Sequence, residues 1–114
     1  MCQNLNDKHM NWLALVFAGI FEIGWPIGLK MAQNPGTSKL PWIIMAVFSM
    51  AVSGVLLFMA QKTIPIGTAY AVWTGIGAVG TLMVGILFFG DSASLPRMLS
   101  ATFIIAGIVG LKIF

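Results

Sequence analysis

Four long apolar runs, separated by short clusters of turn-forming residues, account for almost the whole chain. The first extends from about Asn11 to Ala32 and ends at Gln33-Asn34-Pro35-Gly36-Thr37-Ser38-Lys39, where Pro and Gly break a helix. The second spans about Leu40 to Ala60 and stops at Gln61-Lys62-Thr63-Ile64-Pro65. The third covers about Ile66 to Phe89, closed by Gly90-Asp91-Ser92, and the fourth about Leu95 to Phe114. Pro35, Pro41, Pro65 and Pro96 sit at or beside these breaks, where a missing N–H costs least. A bilayer crossing takes roughly 20 apolar residues at about 1.5 Å of rise each. Each run is therefore long enough to cross once, and the expected fold is an all-α membrane protein of four transmembrane helices. A membrane β-barrel would need short strands of alternating polar and apolar residues; these runs are apolar all round and about twice too long. The expected organisation is a polar tail at residues 1–10 and a single four-helix domain at 11–114.

Composition agrees with that pattern and narrows the function. Of 114 residues, 59% are hydrophobic and 8% are charged, whereas a soluble domain carries about a quarter charged residues. The apolar content is also far too high for disorder. No length remains for a second domain, and four short helices are few to enclose a solute path, which points to an oligomer. The net charge of +3 is scattered over both ends of the helices, so no basic patch for nucleic acid forms. Cys2 has no intrachain partner, and with His9 it lies in the tail; no metal-ligand spacing exists, and no metal or organic cofactor is expected. Met10-Asn11-Trp12 leads directly into the first run, so Met10 is a second candidate start. The long first run with no small-residue cleavage pattern after it argues against a cleaved signal peptide.

The charge map does not favour one orientation. The tail, the second turn and the C-terminus share a side and bring Lys8, Lys62 and Lys112; the other side brings Lys30, Lys39 and Arg97. Orientation normally follows an excess of Lys and Arg in cytoplasmic loops. A balanced map lets either orientation insert, so dual topology and an antiparallel homodimer are expected.

Glu22 is the residue that folding does not require. It lies near the middle of the first run, where an ionisable side chain costs on the order of 3 kcal/mol. A carboxyl group in that setting can be neutralised by a proton or by a cation, and competition between the two is the minimum requirement for exchange. The alternative is a protonated glutamate that only joins helices by hydrogen bonds. Helical spacing places Ala18, Gly19, Trp25 and Pro26 on the same face as Glu22. Pro26 cannot donate to the Glu22 carbonyl, so the helix is expected to loosen at the acid. Ser53 lies midway along the second run, at the depth of Glu22, able to bond either the carboxylate or its own helix backbone.

Aromatic and small residues complete the pattern. Tyr70 and Trp73 are three apart and share a face with Gly77; their rings can hold a cation, or Tyr70 can serve in an interfacial belt. Gly75, Gly77 and Gly80 form a soft or tightly packed point in the third helix. In the fourth, Ala106 and Gly110 are a small-xxx-small pair beside Gly107, suited to a dimer interface. No nucleophile, histidine or second acid stands near Glu22 in the sequence, so an enzyme is not expected.

The blocks Gly19-Ile20-Phe21-Glu22 with Trp25 and Leu29-Lys30, Lys62 through Ala78, and Gly107-Ile108-Val109-Gly110-Leu111-Lys112 together resemble the small multidrug resistance family, and more closely its guanidinium-exporter branch. The resemblance covers nearly all of the chain from Met10. It implies an antiparallel dimer of four-helix protomers in the cell inner membrane, exchanging a small organic cation for protons, with no cofactor beyond the coupling protons. It also implies a shared site in which both copies of Glu22 meet, lined by Trp25, Ser53, Tyr70 and Trp73. Gly75 and Gly77 match the third-helix bend, with Pro26 a further candidate hinge, and the fourth helices hold the dimer. Pro26 departs from the small residue expected there, Asp91 stands where a Glu is common, and the N-terminal extension is additional. Guanidinium, planar with a fork of donors, suits paired carboxylates with Ser53. A quaternary ammonium ion, relying on aromatic faces, is the alternative substrate, and a non-transporting or heterodimeric membrane subunit the alternative role.

Overall fold

The computed structural model describes residues 5–114, so Cys2 lies outside the described residues. It contains four α-helices: α1 (Leu5–Ala32), α2 (Lys39–Ala60), α3 (Ile66–Phe88) and α4 (Leu95–Ile113). All four are long and apolar enough to cross a membrane. Three helices match the apolar runs to within a residue or two at each end. The first does not: α1 begins at Leu5, inside the stretch read as a polar tail. At about 1.5 Å per residue its 28 residues reach roughly 42 Å, more than the ~30 Å of hydrocarbon. The first turns therefore stand in the headgroup region, where polar residues such as Asp7 and Lys8 do not oppose helix formation.

The turns are closed by the residues that broke the pattern. The Thr37 hydroxyl donates to the Met31 carbonyl at 2.8 Å, tying the first turn to the end of α1. Pro65 is the N-cap of α3, and Pro96 sits in the first turn of α4. Gly90 takes φ 75°, and the N–H groups of Phe89 and Asp91 both donate to the Gly85 carbonyl, ending α3. Asn11 Nδ2 donates to Thr63 Oγ1 at 2.7 Å, fixing the start of α1 beside the α2–α3 turn.

The helices pack as a row in the order α2, α1, α3, α4. α1 lies against α2 and α3, α3 carries α4, α2 barely touches α3, and among the described residues the α4 backbone stays apart from α1 and α2. The Cα trace measures 54 × 35 × 18 Å, a slab and not a closed bundle. Lipid supplies no hydrophobic force between helices, so close approach of small residues holds the row. Gly19 of α1 makes room for Ile76, while Gly77 and Gly80 of α3 make room for Glu22 and Ile23. The buried core is small: Ala14, Leu15, Ala60, Ile64, Ala69 and Val72. Large side chains such as Phe48, Phe58 and Phe103 point outward, which is the expected state of a surface solvated by acyl chains. α4 buries only Ala101.

Candidate functional site

The row geometry brings the mid-membrane polar groups of α1, α2 and α3 to one place. Trp25 lies one turn beyond Glu22 on α1, and its Nε1–H donates to Glu22 Oε1 at 2.7 Å. The other carboxyl oxygen, Oε2, is 3.4 Å from the Ser53 hydroxyl. Ser53 is fully buried. Its proton has a better acceptor in the Ala18 carbonyl at 2.7 Å, and its oxygen accepts Trp73 Nε1–H at 2.8 Å. A hydroxyl has one proton and two lone pairs, so Ser53 keeps a lone pair for a protonated Glu22 and can turn its proton toward an ionised one. Either state of the acid finds a partner. No buried side-chain N or O atom among the described residues lacks a hydrogen bond.

Glu22 is half-buried and faces a cavity of about 330 Å³ between α1 and α3, lined with Pro26, Thr74, Gly77, Ala78 and Thr81. Pro26 and Thr81 also line a second cavity of about 280 Å³ that reaches Lys30 and Asp91. The two cavities share Pro26 and Thr81 and lead from the mid-membrane acid toward the Lys30 end of the protomer.

Each residue singled out from the sequence can now be placed. Glu22, Trp25, Ser53 and Trp73 form one hydrogen-bonded group. Tyr70 stands a step outside it, 57% exposed, with its ring tilted 54° against Trp73 at 5.4 Å. α1 runs through Pro26 without a break in its assigned helix, and α3 is one helix through Gly75 and Gly77. Both glycines serve close approach in the protomer. A Cβ at Gly75 would lie 2.8 Å from Ile108 of α4, and one at Gly77 would lie 2.7 Å from Cγ of Glu22. Gly107 and Gly110 have open space around them, and Ala106 is exposed.

Three contributors were not singled out from the sequence. Thr74 and Thr81 line the cavity, but both ordinarily bond back to their own helix, as Thr74 does to the Tyr70 carbonyl at 2.7 Å. Ser49 is buried one turn before Ser53, against Gly24. The i, i+4 spacing of the two serines was the available signal for it.

Ser53→Ala tests the centre of the group. It removes the acceptor of Trp73 Nε1 in a dry environment, which costs about 1–3 kcal/mol. The variant is expected to unfold at lower temperature or denaturant concentration. An unchanged unfolding transition would remove Ser53 from the network.

The family model described as Small Multidrug Resistance protein matches residues 10–104. The chain belongs to this family. It is also similar, at 54% identity over 104 residues, to the Guanidinium exporter of Yersinia pseudotuberculosis, covering 91% of this chain and 98% of the relative. The Guanidinium exporters of Salmonella typhimurium and Citrobacter freundii are each 50% identical over 104 residues, which is 91% of this chain and 97% of theirs. These relatives carry a transporter's name, not an enzyme's. With its four membrane-length apolar helices, this small multidrug resistance protein is a multi-pass protein of the inner membrane.

Proposed function

We propose that this protein exports guanidinium in exchange for protons, working as an antiparallel homodimer in which a Glu22 from each protomer forms one shared site. The observation that carries the reading is the setting of Glu22: a mid-membrane carboxyl held by Trp25 and Ser53, half-exposed on the open face of a slab. A single protomer leaves that face uncovered, and an inverted copy laid against it would complete the cavity with a second acid. The names of the relatives favour guanidinium as the cation. Its planar fork of N–H donors suits two carboxylates, each able to accept a pair of bonds.

In this mechanism the ionised glutamates open to one side and take up the cation. The dimer then exchanges its opening, and protons arriving on the other side displace the cargo. Ser53 serves the acid in both states, so neither is left unpaired. The track past Pro26 and Thr81 to Lys30 and Asp91 is the candidate route to one membrane face. The small face of Ala106, Gly107 and Gly110 on α4 is the candidate pairing surface, and flexing at Pro26, Gly75 and Gly77 is the candidate source of the exchange in opening.

The test is transport by the purified chain in proteoliposomes, comparing guanidinium with a tetraalkylammonium ion while proton flux is recorded. Guanidinium uptake with opposite proton movement supports the reading. Preference for tetraalkylammonium would assign the site to quaternary cations, with Trp73 and Tyr70 as its faces. Transport only after co-expression with a related chain would make it half of a heterodimer.

Dual topology has its own test. Lys30, Lys39 and Arg97 stand at one end; Lys8, Lys62 and Lys112 stand at the other. The latter three share an end because Asn11 bonds Thr63 and the Lys112 ammonium lies over the Trp12 ring. Gln33→Lys with Ser38→Lys adds two basic residues at the first end and is expected to lock it on the cytoplasmic side. Reporter fusions should then show one orientation, with activity restored by a copy locked the other way. Full activity from the single orientation would rule out the antiparallel pair.

A further inference from the structure

A cavity larger than the two beside Glu22 and Lys30 lies away from that acid. The α1 and α4 backbones stand apart among the described residues, and α3 floors the gap between them. The groove holds about 740 Å³, within the roughly 300–1,000 Å³ typical of ligand sites. Val16, Ile76 and Ile108 make it apolar inside, while Lys8, His9 and Lys112 stand at its mouth. The Lys112 ammonium sits 5.6 Å from the centroid of the Trp12 ring, which holds it over the opening. From Lys8 to Val16 is about 12 Å along a helix, so the groove descends from headgroup level into the hydrocarbon. It opens sideways past Leu13 and Val109, both at least half exposed.

We propose that this groove binds an anionic phospholipid, one acyl chain lying along Val16, Ile76 and Ile108 and the phosphate held between Lys8 and Lys112. The apolar walls suit an acyl chain, and basic pockets between membrane helices suit acidic headgroups. Charge argues against a second copy as the occupant. An upright copy brings Lys8, Lys62 and Lys112 to that level, and an inverted one brings Lys30, Lys39 and Arg97. Each sets one acid, Asp7 or Asp91, against those three basic residues, so either copy brings net positive charge to a basic mouth. The small face of Ala106, Gly107 and Gly110 also lies outside the groove lining. Two of the three mouth residues, Lys8 and His9, precede residue 10, where the family match begins; the apolar walls come from the helices that follow.

Native mass spectrometry of the full chain tests the assignment, with equal amounts of phosphatidylglycerol and phosphatidylcholine of matched acyl chains. The wild-type protein should retain phosphatidylglycerol preferentially. Lys8→Gln with Lys112→Gln should reduce that preference roughly 25-fold, about 5-fold per lysine. A chain beginning at Met10 should lose the Lys8 share alone. Lys39→Gln with Arg97→Gln, at the opposite end, should leave the preference intact, and Val109→Trp should exclude both lipids by filling the groove. Equal retention of the two lipids by the wild type, or equal loss in the opposite-end pair, would overturn the proposal. Displacement by millimolar inorganic phosphate would reduce the site to an anion site without a chain-binding groove. A Val109→Trp protein that changed its dimer population but not its lipid retention would assign the groove to a second copy.

Discussion

Purified Glu22→Gln protein is expected to lose proton-coupled cation exchange while keeping its fold. Glutamine preserves the length of the side chain and an acceptor for Trp25 Nε1–H, whose bond to the acid is 2.7 Å long. It removes the charge that balances a bound cation and the proton that displaces it. Deleting one partner of a buried, hydrogen-bonded charge pair costs about 2–5 kcal/mol, at least roughly 30-fold in cation affinity. Coupling should fail altogether, because an amide does not titrate between the two states. The measurement is guanidinium-driven proton movement in proteoliposomes, with thermal unfolding in detergent as the control for folding. Coupled transport surviving in Glu22→Gln would sink the mechanism. The shorter acid of Glu22→Asp should keep some exchange, since a titrating group remains although it no longer reaches Trp25 well.

Gly77→Ala should impair exchange nearly as much while leaving the helix more stable in itself. A methyl group at residue 77 would stand 2.7 Å from Cγ and 3.2 Å from Cβ of Glu22. The Cγ could swing away, but Trp25 and Ser53 hold the carboxyl beyond it, and the Cβ moves only with α1. Overpacking of this kind costs about 1–3 kcal/mol, or roughly 5- to 150-fold if it falls on the site. Helix propensity works the other way, since Ala is favoured over Gly by about 1 kcal/mol. The signature is therefore a fall in transport without a matching fall in unfolding temperature. Gly67→Ala is the control: nothing lies within 4 Å of its added methyl, so it should gain propensity and transport normally. Equal behaviour of the two variants would show that close approach at Gly77 does not position the acid.

The α1–α3 seam also explains what could be read about the third helix without coordinates. The cluster of Gly75, Gly77 and Gly80 signalled either a soft point or tight packing. In the protomer each glycine faces a specific neighbour, Ile108, Glu22 or Ile23, and α3 is unbroken. Close approach is therefore their role in this conformation.

Four crossings, their breaks and the exceptional position of Glu22 followed from the residues alone, because apolar run length and the cost of an intramembrane charge are local properties. The pairing of Trp25 with Glu22 was legible for the same reason: three residues on a helix are neighbours whatever surrounds them. The start of α1 was not, because Leu5 to His9 is polar by composition yet remains helical as the continuation of a long rod leaving the bilayer. Only the tertiary structure decided that the helices form an open row. That arrangement depends on which small faces meet, and every helix here carries several. The row in turn puts Ser53 under Glu22, hands the serine's lone pair to Trp73, leaves Tyr70 outside, and opens a basic-mouthed groove between α1 and α4. Those contacts join residues far apart in the chain, where no periodicity reaches.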